Sequence, residues 1–197
     1  MKHQIIVLHG GDSFKTYEEF LKFLKDWKIS YEDYCLDRKD WKESLKDGLG
    51  EDFEIIRPSM PNKINAKYLE WKIWFDKFVP YFEPGVVLVG HSLGGLFLAK
   101  YLSENKLAQN PLGVFLVAPA GSEGDFVLPE DLKQLEKQTD NLFIYHSEDD
   151  SVVPFKTLEM YRTKFTNPII REFKDRGHFN QDKFPEIIKD IKSLYKI

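Results

Sequence analysis

The stretch VVLVGHSLGG, residues 86–95, places Ser92 between glycines directly after a continuous apolar run. Such a run reads as a strand buried on both faces. The glycines permit a sharp strand-to-helix turn, which puts strained dihedrals on the serine and lifts its hydroxyl toward a substrate. A helix-forming run, LFLAKYLSENKLA, follows straight after Gly95. Ser92 is therefore the candidate nucleophile. A serine hydroxyl attacks only when a base removes its proton, and the chain has five histidines. His3 precedes the first apolar run, His9 follows it, His91 stands beside Ser92 and His146 closes the fifth run. Each fits a strand-end or packing role. His178, in DRGHF beyond the last run, lies in a loop that can swing its imidazole over the serine. An imidazole titrating at about 6.5 takes and returns a proton near neutrality.

A general-base histidine needs a carboxylate to fix its tautomer. The segment HSEDDSVVPF, residues 146–155, supplies Glu148, Asp149 and Asp150. The spacing D-x-x-V-P puts Asp150 in the turn before Pro154 opens a helix, so Asp150 is the candidate and Asp149 the second choice. The competing interpretation of such a cluster is a solvated acidic turn.

The elements that must position these groups follow from apolar periodicity. Runs at IIVL (5–8), FEII (53–56), VVLV (86–89), GVFLV (113–117), NLFIY (141–145) and PIIREF (168–173) alternate with helix-like segments. This predicts βαβ units and a doubly wound, mainly parallel six-stranded α/β sheet with helices on both faces. Helical spacing is seen at Tyr17–Leu24, Trp41–Leu49, Leu69–Phe82, Leu93–Leu107, Leu132–Lys137, from Pro154, and at Pro185–Leu194. The expected strand order is 2-1-3-4-5-6, with the ligand crevice where the order reverses, between the first and third strands. Those strands end in HGGD and GHSLGG. The short connection from Ala120 to Asn141 leaves no room for a cap domain and favours small acyl substrates.

With 197 residues, 42% of them hydrophobic, the chain can bury a core as one domain over 1–197. A net charge of -4 without a basic stripe argues against nucleic acid. The apolar run in MKHQIIVLHG is too short for a signal peptide or membrane span, so a soluble cytoplasmic protein without membrane association is expected. Cys35 is the only cysteine, which excludes an internal disulfide and a multi-cysteine metal site. It is expected to be a half-buried packing residue.

The order Ser92, Asp150, His178, together with HGG, SMPN (59–62), Trp71 and Trp74, GHSLGG, SEDDSVVP and GHFN, resembles the α/β-hydrolase superfamily. More narrowly, the chain resembles the small capless serine hydrolases related to retinoblastoma-binding protein nine. That resemblance implies a Ser92–Asp150–His178 triad, hydrolysis through an acyl-enzyme, and an oxyanion hole made by the N–H groups of Leu93 and of Gly11, or of Asp12 if the loop turns differently. It implies no metal and no organic cofactor, and a small-molecule acyl substrate. Asp12, Phe14 and His91 are candidate pocket residues. The chain departs from the pattern in a helical insertion over residues 12–37, rich in aromatics (Phe14, Tyr17, Phe20, Phe23, Trp27, Tyr31 and Tyr34). It is expected either to wall or lid the acyl pocket, or to pack on the sheet as an amphipathic helix. Two other functions stay open: a catalytically silent protein-binding module on the same fold, or different triad chemistry such as peptide or thioester hydrolysis.

Overall fold

The structure, a computed structural model, describes residues 2–31, 35 and 39–196. In chain order its strands are β1 (His3–Leu8), β2 (Phe53–Ile56), β3 (Val87–His91), β4 (Gly113–Val117), β5 (Ser122–Glu123), β6 (Phe126–Val127), β7 (Leu142–Ser147) and β8 (Ile169–Phe173). Six of them form a parallel sheet in the order β2-β1-β3-β4-β7-β8, while β5 and β6 pair as a separate antiparallel hairpin. Counting only the sheet's own strands, this is the expected order 2-1-3-4-5-6.

Successive side chains on a strand point to opposite faces, and here both faces are apolar. Ile6, Leu8, Leu88, Leu116 and Ile144 belong to one buried cluster. Against them pack Trp71 and Phe75 of α3 (Tyr68–Phe75), Leu96 and Phe97 of α4 (Leu93–Glu104), and Leu158 and Tyr161 of α6 (Lys156–Lys164). Ile5, Val7, Val89, Phe115, Phe143 and Tyr145 form the other cluster, with Trp41 and Leu45 of α2 (Trp41–Leu49) and Ile187 and Ile191 of α7 (Pro185–Leu194). The register pairs Phe115 with Phe143, and their rings stack at 4.5 Å. Leu135 of the short α5 (Lys133–Glu136) completes the first face.

Three local expectations are corrected. The helix expected from Leu69 through Phe82 ends at Phe75 and gives way to a 3-10 turn over Val79–Tyr81, because Pro80 cannot continue an α-helical hydrogen-bond ladder. Cys35 is exposed rather than half-buried, in a sequence segment, EDYCLDRKD, in which charged residues outnumber apolar ones. In the insertion, α1 (Tyr17–Asp26) starts at a capping box formed by Thr16 and Glu19, but none of its residues is buried. It therefore does not pack on the sheet. Phe14, Phe20, Phe23 and Trp27 cluster along one edge of it, and Tyr17 is left 63% exposed. Tyr34 and positions 32–33 and 36–38 lie outside the described residues.

Candidate active site

The β1–β3 register sets Leu8 opposite Gly90, so the HGG and GHS segments leave the sheet side by side at its carboxyl edge. Ser92 has φ 54 and ψ -120, a left-handed conformation that costs a non-glycine residue on the order of 1–3 kcal/mol. The surroundings enforce it: the Ser92 N–H donates to Val117 O at 2.9 Å, and the Ser92 carbonyl accepts from Gly95 N at 2.9 Å and Leu96 N at 3.1 Å. Gly94 is required here because a Cβ on it would lie 2.5 Å from His9 O, so a larger residue would push the first turn of α4 away from β1. Ser92 is 7% exposed, and its hydroxyl has no hydrogen-bond partner among the described residues.

His178 lies between two left-handed residues, Gly177 (φ 51) and Phe179 (φ 54), which kink the loop after β8 back over the sheet edge. Its ring stands 4.8 Å from that of His91, the residue preceding Ser92. Nδ1–H of His178 donates to Asp150 Oδ2 at 2.9 Å. The other oxygen, Oδ1, accepts from the N–H groups of Val152 at 2.8 Å and Val153 at 2.9 Å. Burial alone would push the Asp150 carboxyl up, but the His178 hydrogen bond and the two backbone donors outweigh it and hold the group below the usual aspartate value. Asp149 does something else: its Oδ1 accepts from Ser147 Oγ at 2.5 Å and Gly177 N at 2.9 Å, tying the acidic turn to the histidine loop without touching the imidazole.

The three other histidines at the sheet's carboxyl edge each brace one loop. Met60 N–H donates to His9 Nε2 at 2.9 Å, so Nδ1 carries the proton and donates to Gly10 O at 2.6 Å. This pins the SMPN loop against HGG. His91 Nε2–H donates to His178 O at 2.8 Å. His146 Nε2–H donates to Val153 O at 3.0 Å, at the end of the Asp150 turn. Burial lowers the pKa of all three, His91 well below the ordinary histidine value, so each serves as a neutral ring with a fixed tautomer.

The SMPN loop also braces the segment expected to form the oxyanion hole. Lys63 O accepts from Asp12 N at 2.8 Å, and Asp12 O accepts from Ala66 N at 2.8 Å. Asp12 therefore has no N–H to offer a substrate, whereas the N–H groups of Gly11 and Leu93 have no acceptor among the described residues. A Cβ on Gly11 would lie 2.3 Å from Lys63 O, so the brace requires glycine at that position.

A cavity of about 510 Å³ is lined by Ala120, Gly121, Glu123, Val153 and Met160 among others, and Ala120 links it to Ser92, whose carbonyl accepts from Ala120 N at 3.3 Å. Two expected pocket residues are elsewhere. His91 is buried beneath the His178 loop, and Phe14 joins the aromatic cluster of α1 instead of the cavity wall. Asp12, the third expected pocket residue, is likewise not among the residues lining the cavity; it is half-buried, and desolvation raises its pKa. Glu123 was not anticipated, since a glutamate in a Gly/Ser/Asp-rich turn carries no signal in the sequence.

A family model described as serine hydrolase matches residues 36–191. The chain belongs to the serine hydrolase family. Among curated proteins it is similar to serine hydrolase RBBP9 of Rattus norvegicus, 22% identical over 147 residues, 72% of this chain and 78% of that protein. The ydeN gene product of B. subtilis superposes with a TM-score of 0.73 at 18% identity, covering 100% of both chains. A Xanthomonas campestris protein, XC6422, described as an α/β serine hydrolase without lid, superposes with a TM-score of 0.59 at 11% identity over 100% of this chain and 83% of its own. At these identities the structural likeness establishes the fold, that of a capless α/β serine hydrolase. The family assignment establishes a hydrolase.

Proposed function

We propose that this serine hydrolase cleaves small acyl esters through an acyl-enzyme on Ser92, His178 and Asp150. The carrying observation is the fixed pair His178 Nδ1–H to Asp150 Oδ2 beside a strained Ser92, next to two N–H groups without protein acceptors. In the acylation step Nε2 of His178 takes the Ser92 proton as Oγ bonds to the substrate carbonyl carbon, and Asp150 steadies the resulting imidazolium. The carbonyl oxygen becomes an oxyanion bonded by Gly11 N–H and Leu93 N–H. The second of these lies at the start of α4, where the helix dipole favours negative charge. The tetrahedral centre collapses, the C–O bond to the alcohol breaks, and the imidazolium returns its proton to that alcohol. Water then repeats the sequence on the acyl-serine, His178 acting again as base. An apo serine without a hydrogen bond to the histidine is compatible with this scheme, because such contacts tighten when substrate binds.

The short Ala120–Asn141 connection, with no room for a cap domain, supports small acyl groups over long chains. The reading includes a small-molecule substrate and a cytoplasmic location, the latter from composition. Labelling with a fluorophosphonate probe tests it: the wild type should label and Ser92→Ala should not. Equal labelling of both proteins would discard Ser92 as nucleophile. Hydrolysis of p-nitrophenyl esters should fall as the acyl chain lengthens beyond about eight carbons, and a preference for peptide or thioester substrates over all of these esters would replace the esterase assignment.

A further inference from the structure

The hairpin β5–β6 has no part in the catalytic scheme, yet it is fastened tightly to the mouth of the site. Phe126 is buried among Tyr68 and Trp71. Both oxygens of Asp125 accept from Tyr68 N at 3.2 Å, and Oδ1 stands 3.4 Å from Ser13 Oγ, whose proton goes to Ala66 O at 2.8 Å. Gly124 turns with φ 57 directly over Ser13, where a Cβ would lie 2.0 Å from Ser13 Oγ. These contacts leave Glu123 little freedom. Its Oε1 accepts from Ser13 N–H at 2.8 Å, while Oε2 has no hydrogen-bond partner among the described residues. The side chain lines the cavity whose other walls include the apolar Ala120, Val153, Pro154 and Met160.

We propose that Glu123 is a specificity-determining residue: its free oxygen receives a cationic ammonium group on the substrate portion held in this cavity, so that ammonium-bearing esters are preferred over neutral ones and esters ending in a carboxylate are rejected. This rests on the ester-hydrolase reading given above. Ser13 N–H fixes the carboxyl at one wall, and the apolar side chains of Ala120, Val153, Pro154 and Met160, in a lining that also includes Ser122, Lys156 and Thr157, lower the local dielectric, which strengthens a single ion pair made there. Other charged groups surround Glu123. Asp12 comes from the oxyanion loop and adds negative charge, and His178 comes from the loop after β8. Asp125 stands two residues along the hairpin, and Lys156 stands on the exposed rim at the start of α6. Lys67, at the foot of α3, is occupied by Phe14 O at 2.5 Å. Burial pushes the Glu123 carboxyl up to about 7, opposed by the Ser13 hydrogen bond and reinforced by Asp12. The charge that attracts the ammonium group is therefore gained as the pH rises through neutrality.

The experiment compares kcat/KM within two isosteric pairs, acetylcholine with 3,3-dimethylbutyl acetate, and p-nitrophenyl 4-(trimethylammonio)butanoate with p-nitrophenyl 5,5-dimethylhexanoate. p-Nitrophenyl hydrogen glutarate serves as the anionic member. At pH 8 at least one pair should favour the cationic ester by about tenfold, as one partly desolvated ion pair made without a hydrogen bond gives, with the glutarate the poorest substrate. The cationic-to-neutral ratio should climb between pH 6 and pH 8, a comparison in which pH effects common to both esters cancel. In Glu123→Gln, whose side-chain carbonyl still accepts from Ser13 N–H, the ratio should drop to near one and lose its pH dependence. Ratios near one in the wild type for both pairs, or a ratio unchanged in Glu123→Gln, overturn the assignment to Glu123 and leave the esterase reading standing. Absence of hydrolysis of every ester, or hydrolysis undiminished in Ser92→Ala, overturns that reading and this proposal with it.

Discussion

His91 donates its Nε2–H to the carbonyl of His178 at 2.8 Å, so one histidine holds the backbone of another. Trp41 repeats the arrangement one residue on, its Nε1–H donating to Phe179 O at 2.8 Å. Together these two buried side chains tie the loop that carries the imidazole to β3 and α2. His91 does not line the cavity, and under the proposed mechanism it is a positioning residue that acts through His178. His91→Leu should leave the protein folded and lower kcat by about 10-fold to 100-fold with little change in KM, as a displaced catalytic group does. His91→Gln, which keeps a donor, should recover part of the loss. A KM effect without a kcat effect would mean that the ring contacts substrate after all.

Asp149 and Asp150 are neighbours whose contacts differ in kind. Asp150 holds the imidazole, whereas Asp149 accepts from Ser147 Oγ and Gly177 N. Asp150→Asn should reduce kcat by about 10⁴-fold while the fold is kept, because an amide favours the wrong histidine tautomer. Asp149→Asn should cost less than about tenfold in kcat and instead speed proteolysis of the 174–180 loop. Steady-state kinetics and limited proteolysis on the two variants separate the roles, and a reversed ranking in kcat would move the acid to Asp149.

Much of this arrangement was legible in the sequence because buried parallel strands announce themselves as apolar runs. FEII at 53–56 and GVFLV at 113–117 coincide with β2 and β4, and the turn residues that follow the strands carry Ser92, Asp150 and His178. What stayed hidden has a common cause. The role of His91 depends on the tautomer and on a carbonyl 87 positions away. The exposure of α1 depends on what does not pack against it, although its spacing is that of any amphipathic helix. The hairpin holding Glu123 is too short for its alternation to stand out, and Asp12 loses its N–H to Lys63, a partner supplied by a loop some fifty residues on. Local pattern reveals elements; contacts between loops are long-range and leave no periodicity to read.

Gly11 tests the oxyanion assignment. Replacing it with alanine drives a Cβ to within 2.3 Å of Lys63 O, a backbone atom, so either the SMPN loop or the Gly11 N–H must move. Gly11→Ala is expected to lower kcat by about 100-fold to 1,000-fold, the usual cost of one oxyanion donor, and to reduce stability. Alanine at Gly85, where a Cβ meets nothing within 4 Å but φ is 85, should reduce stability with no loss of kcat per folded molecule. The comparison isolates the catalytic component: if both variants lose activity only in proportion to folded protein, the Gly11 N–H is not a donor to the reaction.

The three neutral histidines make the site a liability in acid. Burial lowers the folded-state pKa of His9, His91 and His146 from an ordinary value of 6.5, so between that value and the lowered ones the unfolded chain binds more protons than the folded one. By linkage, stability must rise with pH across that interval. The contribution is therefore complete above pH 6.5 and is lost as the pH falls through the folded values. Asp150 and Asp190 extend the loss further down: burial opposes their ionisation, but hydrogen bonds from His178 to the first and from Arg171 and Tyr145 to the second hold both below 3.8. Their stabilisation is present above 3.8 and disappears only as the pH drops through the depressed values. Glu123 acts in the opposite sense, because burial raises its folded value to about 7 and its contribution is lost as the pH rises, so the histidine component is read as the difference in thermal midpoint between the wild type and a variant lacking one imidazole. His146→Phe removes one of the three titrations, and its midpoint should decline less steeply between pH 6.5 and pH 5 even if its value at pH 8 is lower. A slope identical to that of the wild type over this interval would show that His146 titrates alike in the folded and unfolded chain.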